Sequence, residues 1–246
     1  MLDAGPMNIL ITGACRGIGA AIARRFAAPG NRILINYMQS EAAAAAVAEQ
    51  CAAAGAETVL VGGDVRNEDD LKRLAGVFSA AEGGVDVLVH NAAIGALKPF
   101  RTIRPGQWDL TIESSLRPFW LLTRLCALND GANVIGLSSR GSRQYVPGYA
   151  AMGAAKAGVE ALTRQLAVEL APRVRVNTVC GGLVRTDALR YLDAEGQMLA
   201  FAEEHTPLGG IASPDDIAAV VHLLCDARAR WITGQVIIAD GGLSLL

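Results

Sequence analysis

Short apolar runs alternate along the chain with longer amphipathic or alanine-rich segments. Asn8–Thr12, Arg32–Tyr37, Thr58–Gly62, Val85–His90, Asn133–Ser138, Val174–Cys180 and Gln235–Ala239 are dominated by Val, Ile and Leu. Runs of that length without strict polar alternation predict strands buried on both faces. Between them, Ile18–Ala28, Glu41–Ala54, Glu68–Ala81, Gln107–Leu128, Tyr149–Leu170 and Pro214–Asp226 predict helices. Strand and helix in regular alternation is the signature of an α/β protein, here a doubly wound, seven-stranded parallel sheet with helices on both faces. The run Ala42–Ala46 falls where a crossover helix is due, and alanine has the highest helix propensity. No Pro/Ser-rich linker divides the chain, so one domain spanning 1–246 is expected. The pattern lapses from Arg185 to Ala212, which contains Gly196, Pro207, Gly209 and Gly210. A stretch of that length inside a compact domain predicts a loop that covers a binding site.

Composition narrows the function. Hydrophobic residues make up 52% of 246 and charged ones 19%, enough for a large core and incompatible with disorder. The net charge is −2 with no run of like charges, so nucleic acid is not an expected partner. The densest apolar stretch, Phe119–Leu128, is interrupted by Arg124 and falls short of a membrane span. Met1 to Met7 lack the features of a secretory signal, and the expectation is a soluble, cytoplasmic protein. Five cysteines, odd in number and without a C-x-x-C pair, argue against a disulfide framework and against a zinc site. No metal is expected, and each cysteine reads as a small buried apolar residue.

The first strand runs directly into Thr12-Gly13-Ala14-Cys15-Arg16-Gly17-Ile18-Gly19 and then a helix. Glycines there let a ligand approach the backbone, and the free N–H groups and dipole of a helix start favour a pyrophosphate. This T-G-x-x-x-G-x-G string resembles the short-chain dehydrogenase/reductase family, and the resemblance extends along nearly the whole chain. Asp64-Val65 stands where the family contacts adenine. His90-Asn91-Ala92-Ala93 stands for its Asn-Asn-Ala-Gly, of which only Asn91 is carried over, His90 reading as a structural residue. Asp240-Gly241-Gly242 matches its C-terminal strand. The resemblance implies a Rossmann-type fold, cofactor contacts at Gly13, Arg16, Gly17, Ile18, Gly19, Asp64, Val65 and Asn91, and a further one at Thr186. The second strand ends Asn36-Tyr37-Met38-Gln39-Ser40 without a carboxylate to accept a ribose 2′-hydroxyl, and Arg16 offers a cation for a 2′-phosphate. NADPH is therefore expected over NADH.

In most of that family a Tyr lies four residues before a Lys on one helix. Counting back from Lys156 puts Met152 in the Tyr place, and a thioether neither gives nor takes a proton. The chain instead has Tyr149-Ala150-Ala151-Met152-Gly153-Ala154-Ala155-Lys156, which resembles the Tyr-x6-Lys pattern of the enoyl-acyl carrier protein reductases. Seven residues at about 100° each is close to two full turns, so Tyr149 and Lys156 can share one helix face, about 10.5 Å apart along the axis. Ser139 stands where the family places its catalytic Ser, as an auxiliary. Ser115 replaces the Asn that helps hold a relay water, and Cys180-Gly181-Gly182 replaces the usual Pro-Gly.

These residues imply an oxidoreductase that reduces the C=C bond of an enoyl thioester carried on acyl carrier protein or coenzyme A, chemistry of the kind found in fatty acid biosynthesis. Two alternatives stay open: ketone or aldehyde reduction by the same fold, and a nucleotide-binding subunit without redox chemistry. Leu189, Tyr191, Leu192, Met198, Leu199 and Phe201 are apolar enough to cover an acyl chain. Lys98, Arg101, Arg104, Arg140, Arg143, Arg185 and Arg190 could meet an acidic carrier or a pantetheine phosphate, or serve only as solvated charge. By analogy with the family a homotetramer is expected. Acyl length and carrier are not legible, nor are the roles of Ser139, Ser115 and Tyr145.

Overall fold

The structure is a computed structural model that describes residues 5–187, 189 and 196–246. Seven strands, β1 (Asn8–Ile11), β2 (Arg32–Tyr37), β3 (Glu57–Gly62), β4 (Val85–His90), β5 (Leu128–Ser139), β6 (Arg175–Gly181) and β7 (Val236–Ala239), form one sheet. Every pairing is parallel and the order is β3-β2-β1-β4-β5-β6-β7. Successive side chains on a strand point to opposite faces, so the central runs feed two cores. Ile9, Ile11, Ile33, Ile35, Val87 and Val89 join one apolar cluster, while Leu10, Leu34 and Leu88 join the other.

Helices α1 (Gly17–Phe26), α2 (Glu41–Ala53) and α8 (Pro214–Cys225) contribute to the first cluster. Helices α3 (Glu68–Val77), α5 (Arg117–Leu125) and α6 (Ala150–Glu169) contribute to the second. The alanine run is a working helix: Ala44, Val47, Ala48 and Cys51 form a buried stripe at helical spacing on α2. Asn67 caps α3, accepting from the backbone N–H groups of Asp69 and Asp70 at 2.8 and 3.2 Å. Ser213 and Asp216 form a capping box on α8.

Three expectations change in the structure. The single helix over Gln107–Leu128 is two, α4 (Pro105–Ser115) and α5, with Leu116 out of helical geometry between them. Pro118 has no N–H to return to Ser114, which breaks the ladder there. Strand β5 starts at Leu128 rather than Asn133, with a register shift against β4 between Val85 and Val87. The loop from Arg185 to Ala212 contains helix α7 (Gln197–His205) and is closed at its base by a Val184–Ala212 bridge and an Arg185 N–H bond to Ala212 O at 2.9 Å. Arg190, Tyr191 and Leu192 lie outside the described residues. Among the described residues, no helix is long and apolar enough to cross a membrane.

Candidate active site

The sheet order reverses between β1 and β4, and the segments leaving the carboxyl ends of the strands converge above that point. In open α/β sheets this crevice is where ligands bind. The turn after β1 is shaped by its neighbours. Gly13 and Gly17 have positive φ, at 63° and 54°. A Cβ on Gly19 would lie 2.5 Å from both Asn91 Nδ2 and Gly13 O, so only glycine lets α1 start so close to β4. No side chain caps α1 and no acidic residue stands in its first turn, which leaves its N-terminal N–H groups facing the crevice.

Two asparagines and a threonine hold this turn in place. Asn36, buried at the end of β2, accepts from Gly13 N–H at 3.1 Å, and its amide donates to Val61 O and Gly63 O at 3.2 and 3.1 Å. Thr12 Oγ1 accepts from the N–H groups of Asn91 and Ala92. The Asn91 amide donates to Thr12 O and Gly13 O at 3.0 and 2.9 Å, so its side chain orients the turn. Ile18 packs against the first core cluster and Val65 is buried in the second, which leaves their backbone as the part open to a ligand. Asp64 is committed to Arg66, whose Nε lies 2.9 and 3.0 Å from its two oxygens; the Arg66 bonds hold the carboxyl below its usual range against the upward push of burial. Arg16 is exposed and makes no ion pair among the described residues. Thr186 comes to the same place from the far end of the chain, its methyl within 3.5 Å of where a Gly17 Cβ would stand. A carboxylate that strand-end reading misses, that of Glu41 in the first turn of α2, interacts with the Tyr37 phenol.

At the other end of the crevice Tyr149 is the N-cap of α6 and Lys156 lies two turns inside the helix. Lys156 is buried and its Nζ donates to Leu137 O at 2.8 Å on the neighbouring strand β5. Burial pulls its ammonium down to about 8, with the Cys180 thiol opposing. Tyr149 is pushed above the ordinary phenol value by burial, with the Ser139 hydroxyl beside it working the other way, so at neutral pH it carries its proton. Met152 is buried, and its Cε packs against Gly95, where a Cβ would come within 2.5 Å of it. A small cavity of about 40 Å³ is lined by Ser139, Tyr149, Gly182, Leu183 and Met198. A larger one of about 450 Å³ opens between Gly17, Thr186, Leu189 and Leu199. Phe201 is half-exposed and stacks on His205. Tyr145 is 85% exposed.

The α4–α5 break has a chemical consequence. The Ser115 carbonyl accepts from His90 Nε2 at 3.2 Å, which assigns the proton to that nitrogen. His90 is buried against Phe119 and pulled down to about 3 by burial and by Lys156, so it is a neutral structural residue. The Ser115 hydroxyl is bound to Ile94 N and O at 3.2 and 3.0 Å, and Thr111 and Ser114 hold the same loop. These α4 hydroxyls fix residues 94–96. Of the basic loop residues, Arg143 is paired with Glu160 and Arg185 with Glu203, both at 2.9 Å. The five cysteines are free, and burial pushes Cys126 and Cys225 up to about 12 and Cys180 to about 11, where none is a nucleophile at neutral pH.

The family model described as "Enoyl-(Acyl carrier protein) reductase" matches residues 13–244. This chain belongs to the short-chain dehydrogenase/reductase family. It is 35% identical over 240 residues to a 3-oxoacyl-[acyl-carrier-protein] reductase of Synechocystis sp., covering 95% of each chain. It is 32% identical over 242 residues to the 1-cyclohexenylcarbonyl-CoA reductase of Streptomyces collinus, covering 96% of this chain and 86% of that one. A solved short-chain dehydrogenase from Burkholderia cenocepacia, in complex with NADP, superposes with a TM-score of 0.89 at 29% identity over 98% of each chain. The protein is an oxidoreductase of this short-chain dehydrogenase/reductase family, and solved neighbours of the same fold include ones with bound NADP.

Proposed function

We propose that the protein reduces the carbon–carbon double bond of an enoyl thioester, carried on acyl carrier protein or coenzyme A, with NADPH as reductant. The observation that carries this reading is the position of the phenol beside Lys156: Tyr149 at the N-cap of α6, with the buried thioether of Met152 in the place four residues before Lys156. In ketone reduction the oxygen needing a proton is attached to the carbon that receives hydride. In a conjugated thioester that carbon is Cβ, and negative charge builds on a carbonyl oxygen two bonds further away. A donor displaced outward by nearly one helical turn suits the second geometry.

The residues present fit a nicotinamide dinucleotide, with Gly13, Gly17 and Gly19 against the pyrophosphate and Lys156 and Thr186 near the nicotinamide end. When bound, the cofactor supplies hydride to the substrate. Tyr149, protonated, donates a hydrogen bond to the thioester oxygen as enolate charge develops. Lys156, anchored by Leu137 O, provides a fixed positive charge beneath it, and Ser139 orients the phenol. Cα is then protonated, with solvent as a source. Met198, Leu189 and Leu199 place an apolar wall beside the two cavities, where an acyl chain would lie. The Streptomyces relative supports this reading, since its name describes a ring alkene attached to a thioester carbonyl. Exposed Trp108 on α4 and Trp120 on α5 give an apolar face in keeping with a homotetramer.

The Synechocystis relative favours the second reading, reduction of a 3-keto thioester. Following NADPH oxidation with crotonyl and acetoacetyl thioesters separates the two. Turnover of the crotonyl compound, at least tenfold above the keto compound, is the expected result; turnover of acetoacetyl thioester alone defeats the proposal. The coenzyme preference rests on Arg16, opposed by the carboxylate of Glu41. Arg16→Ala is expected to raise the KM for NADPH about tenfold, the order of one charge-assisted contact, and to leave that for NADH within twofold. Equal effects on both coenzymes would remove Arg16 from the 2′-phosphate.

A further inference from the structure

Glu160 lies one turn beyond Lys156 on α6, and its side chain is only 7% exposed. Its Oε1 accepts from Ser138 Oγ at 2.7 Å and Ser142 Oγ at 2.6 Å, and its Oε2 from Arg143 Nε at 2.9 Å. A carboxylate taken out of water is costly unless its lone pairs are met, and here three donors meet them. Burial pushes the carboxyl up, but the bonds from Ser142, Ser138 and Arg143 hold it below its ordinary value, so it is charged. All three donors come from the one short stretch that ends β5, residues 138–143, and Ser139 sits between them. The other side of that stretch rests on the start of α6. A Cβ on Gly141 would collide with the Tyr149 ring, and one on Gly153 would lie 2.6 Å from Gly141 O. The turn is clasped between Tyr149 and Gly153 on one side and Glu160 on the other.

We propose that Glu160 is a positioning residue: its carboxylate ties residues 138–143 to α6 and thereby fixes Ser139 against the Tyr149 hydroxyl. It touches neither substrate nor coenzyme and acts through Ser139. This inference rests on Tyr149 being the catalytic phenol, and does not depend on which thioester is reduced. A carboxylate serving the fold alone would affect melting and leave the Tyr149–Ser139 pair unchanged.

The test combines Glu160→Gln and Ser139→Ala, singly and together, with kcat, KM and NADPH Kd measured on whichever thioester the wild type reduces best. Tyr149 ionisation is followed by ultraviolet difference titration against Tyr149→Phe. Glu160→Gln keeps the volume but presents an amide N–H₂ to one of the two partner sets. It is expected to lower kcat 10- to 30-fold with KM and Kd within threefold, and to move the Tyr149 titration to higher pH. In the Ser139→Ala background the same substitution is expected to change kcat less than twofold. Wild-type kcat in Glu160→Gln, an undisturbed Tyr149 titration, a Ser139→Ala protein with full activity, or independent multiplying effects in the double variant would each overturn the proposal. Should Glu160→Gln fail to fold, Ser138→Ala, which deletes the 2.7 Å bond to Oε1, is expected to lower kcat at least threefold with the same titration shift; unchanged values there would also overturn it. A wild type that reduces only the keto compound defeats the enoyl reading, while these ratios still decide the role of Glu160.

Discussion

Tyr149→Phe is expected to lower kcat by about 10²–10³, the usual cost of deleting one donor to a developing oxyanion, while NADPH binding stays within threefold. The phenol keeps its proton at neutral pH, because burial raises it more than the Ser139 hydroxyl lowers it. Phenylalanine keeps the ring that packs on Gly141 and removes only the hydroxyl. Steady-state kinetics with coenzyme binding measured by fluorescence checks this. Turnover undiminished in the variant would remove Tyr149 from the chemistry and favour a nucleotide-binding role.

Lys156→Met is expected to cost about 10²–10⁴ in kcat/KM, and Lys156 also sets a pH dependence. Its ammonium, held at about 8 by burial, is charged below that pH and neutral above it. Activity that needs the fixed charge should therefore decline above pH 8 in the free enzyme. Arginine stays charged through this range, so Lys156→Arg should lack that limb, whatever its absolute rate. Stability runs the other way. The unfolded lysine titrates near 10.4, so between about 8 and that value the unfolded chain binds the extra proton. The lysine's contribution to stability then rises with pH across this window, and is lost as pH falls through 8. Melting curves from pH 7 to 10, compared with Lys156→Met, should show that slope only in the wild type.

The central strands and most helices were legible because strands such as β1 and β4 are buried on both faces, which leaves an unbroken apolar run such as Ile9–Ile11 or Val87–Val89. The break at Leu116 was not, since the apolar pattern continues across it and only Pro118 marks it. Helix α7 was hidden because its buried face is a single residue, Ala202, in a segment flanked by Gly196, Pro207, Gly209 and Gly210. In the crevice, spacing along one helix made the Tyr149 and Lys156 pair readable. The resemblance makes Asn91 a coenzyme contact; in the structure its amide donates to Thr12 O and Gly13 O, bonds between elements that no local pattern encodes. The partners of Glu160 and Asn36 lie on other elements, at separations no local pattern encodes. Glu41 escapes the reading because it lies four residues past the end of β2, in the first turn of α2, one residue beyond the Asn36–Ser40 stretch where a carboxylate is sought.

Under the proposed enoyl reduction, the outward-shifted phenol serves an oxygen remote from the carbon that accepts hydride. A crystal structure of the ternary complex with NADP⁺ and an unreactive enoyl thioester analogue tests it most directly. The Tyr149 hydroxyl is expected about 2.7 Å from the thioester carbonyl oxygen, a normal O–H···O contact, with Cβ and not the carbonyl carbon over the nicotinamide C4. A Tyr149 hydroxyl seated beside C4 itself, or turned to solvent with the thioester oxygen held by another group, would contradict it.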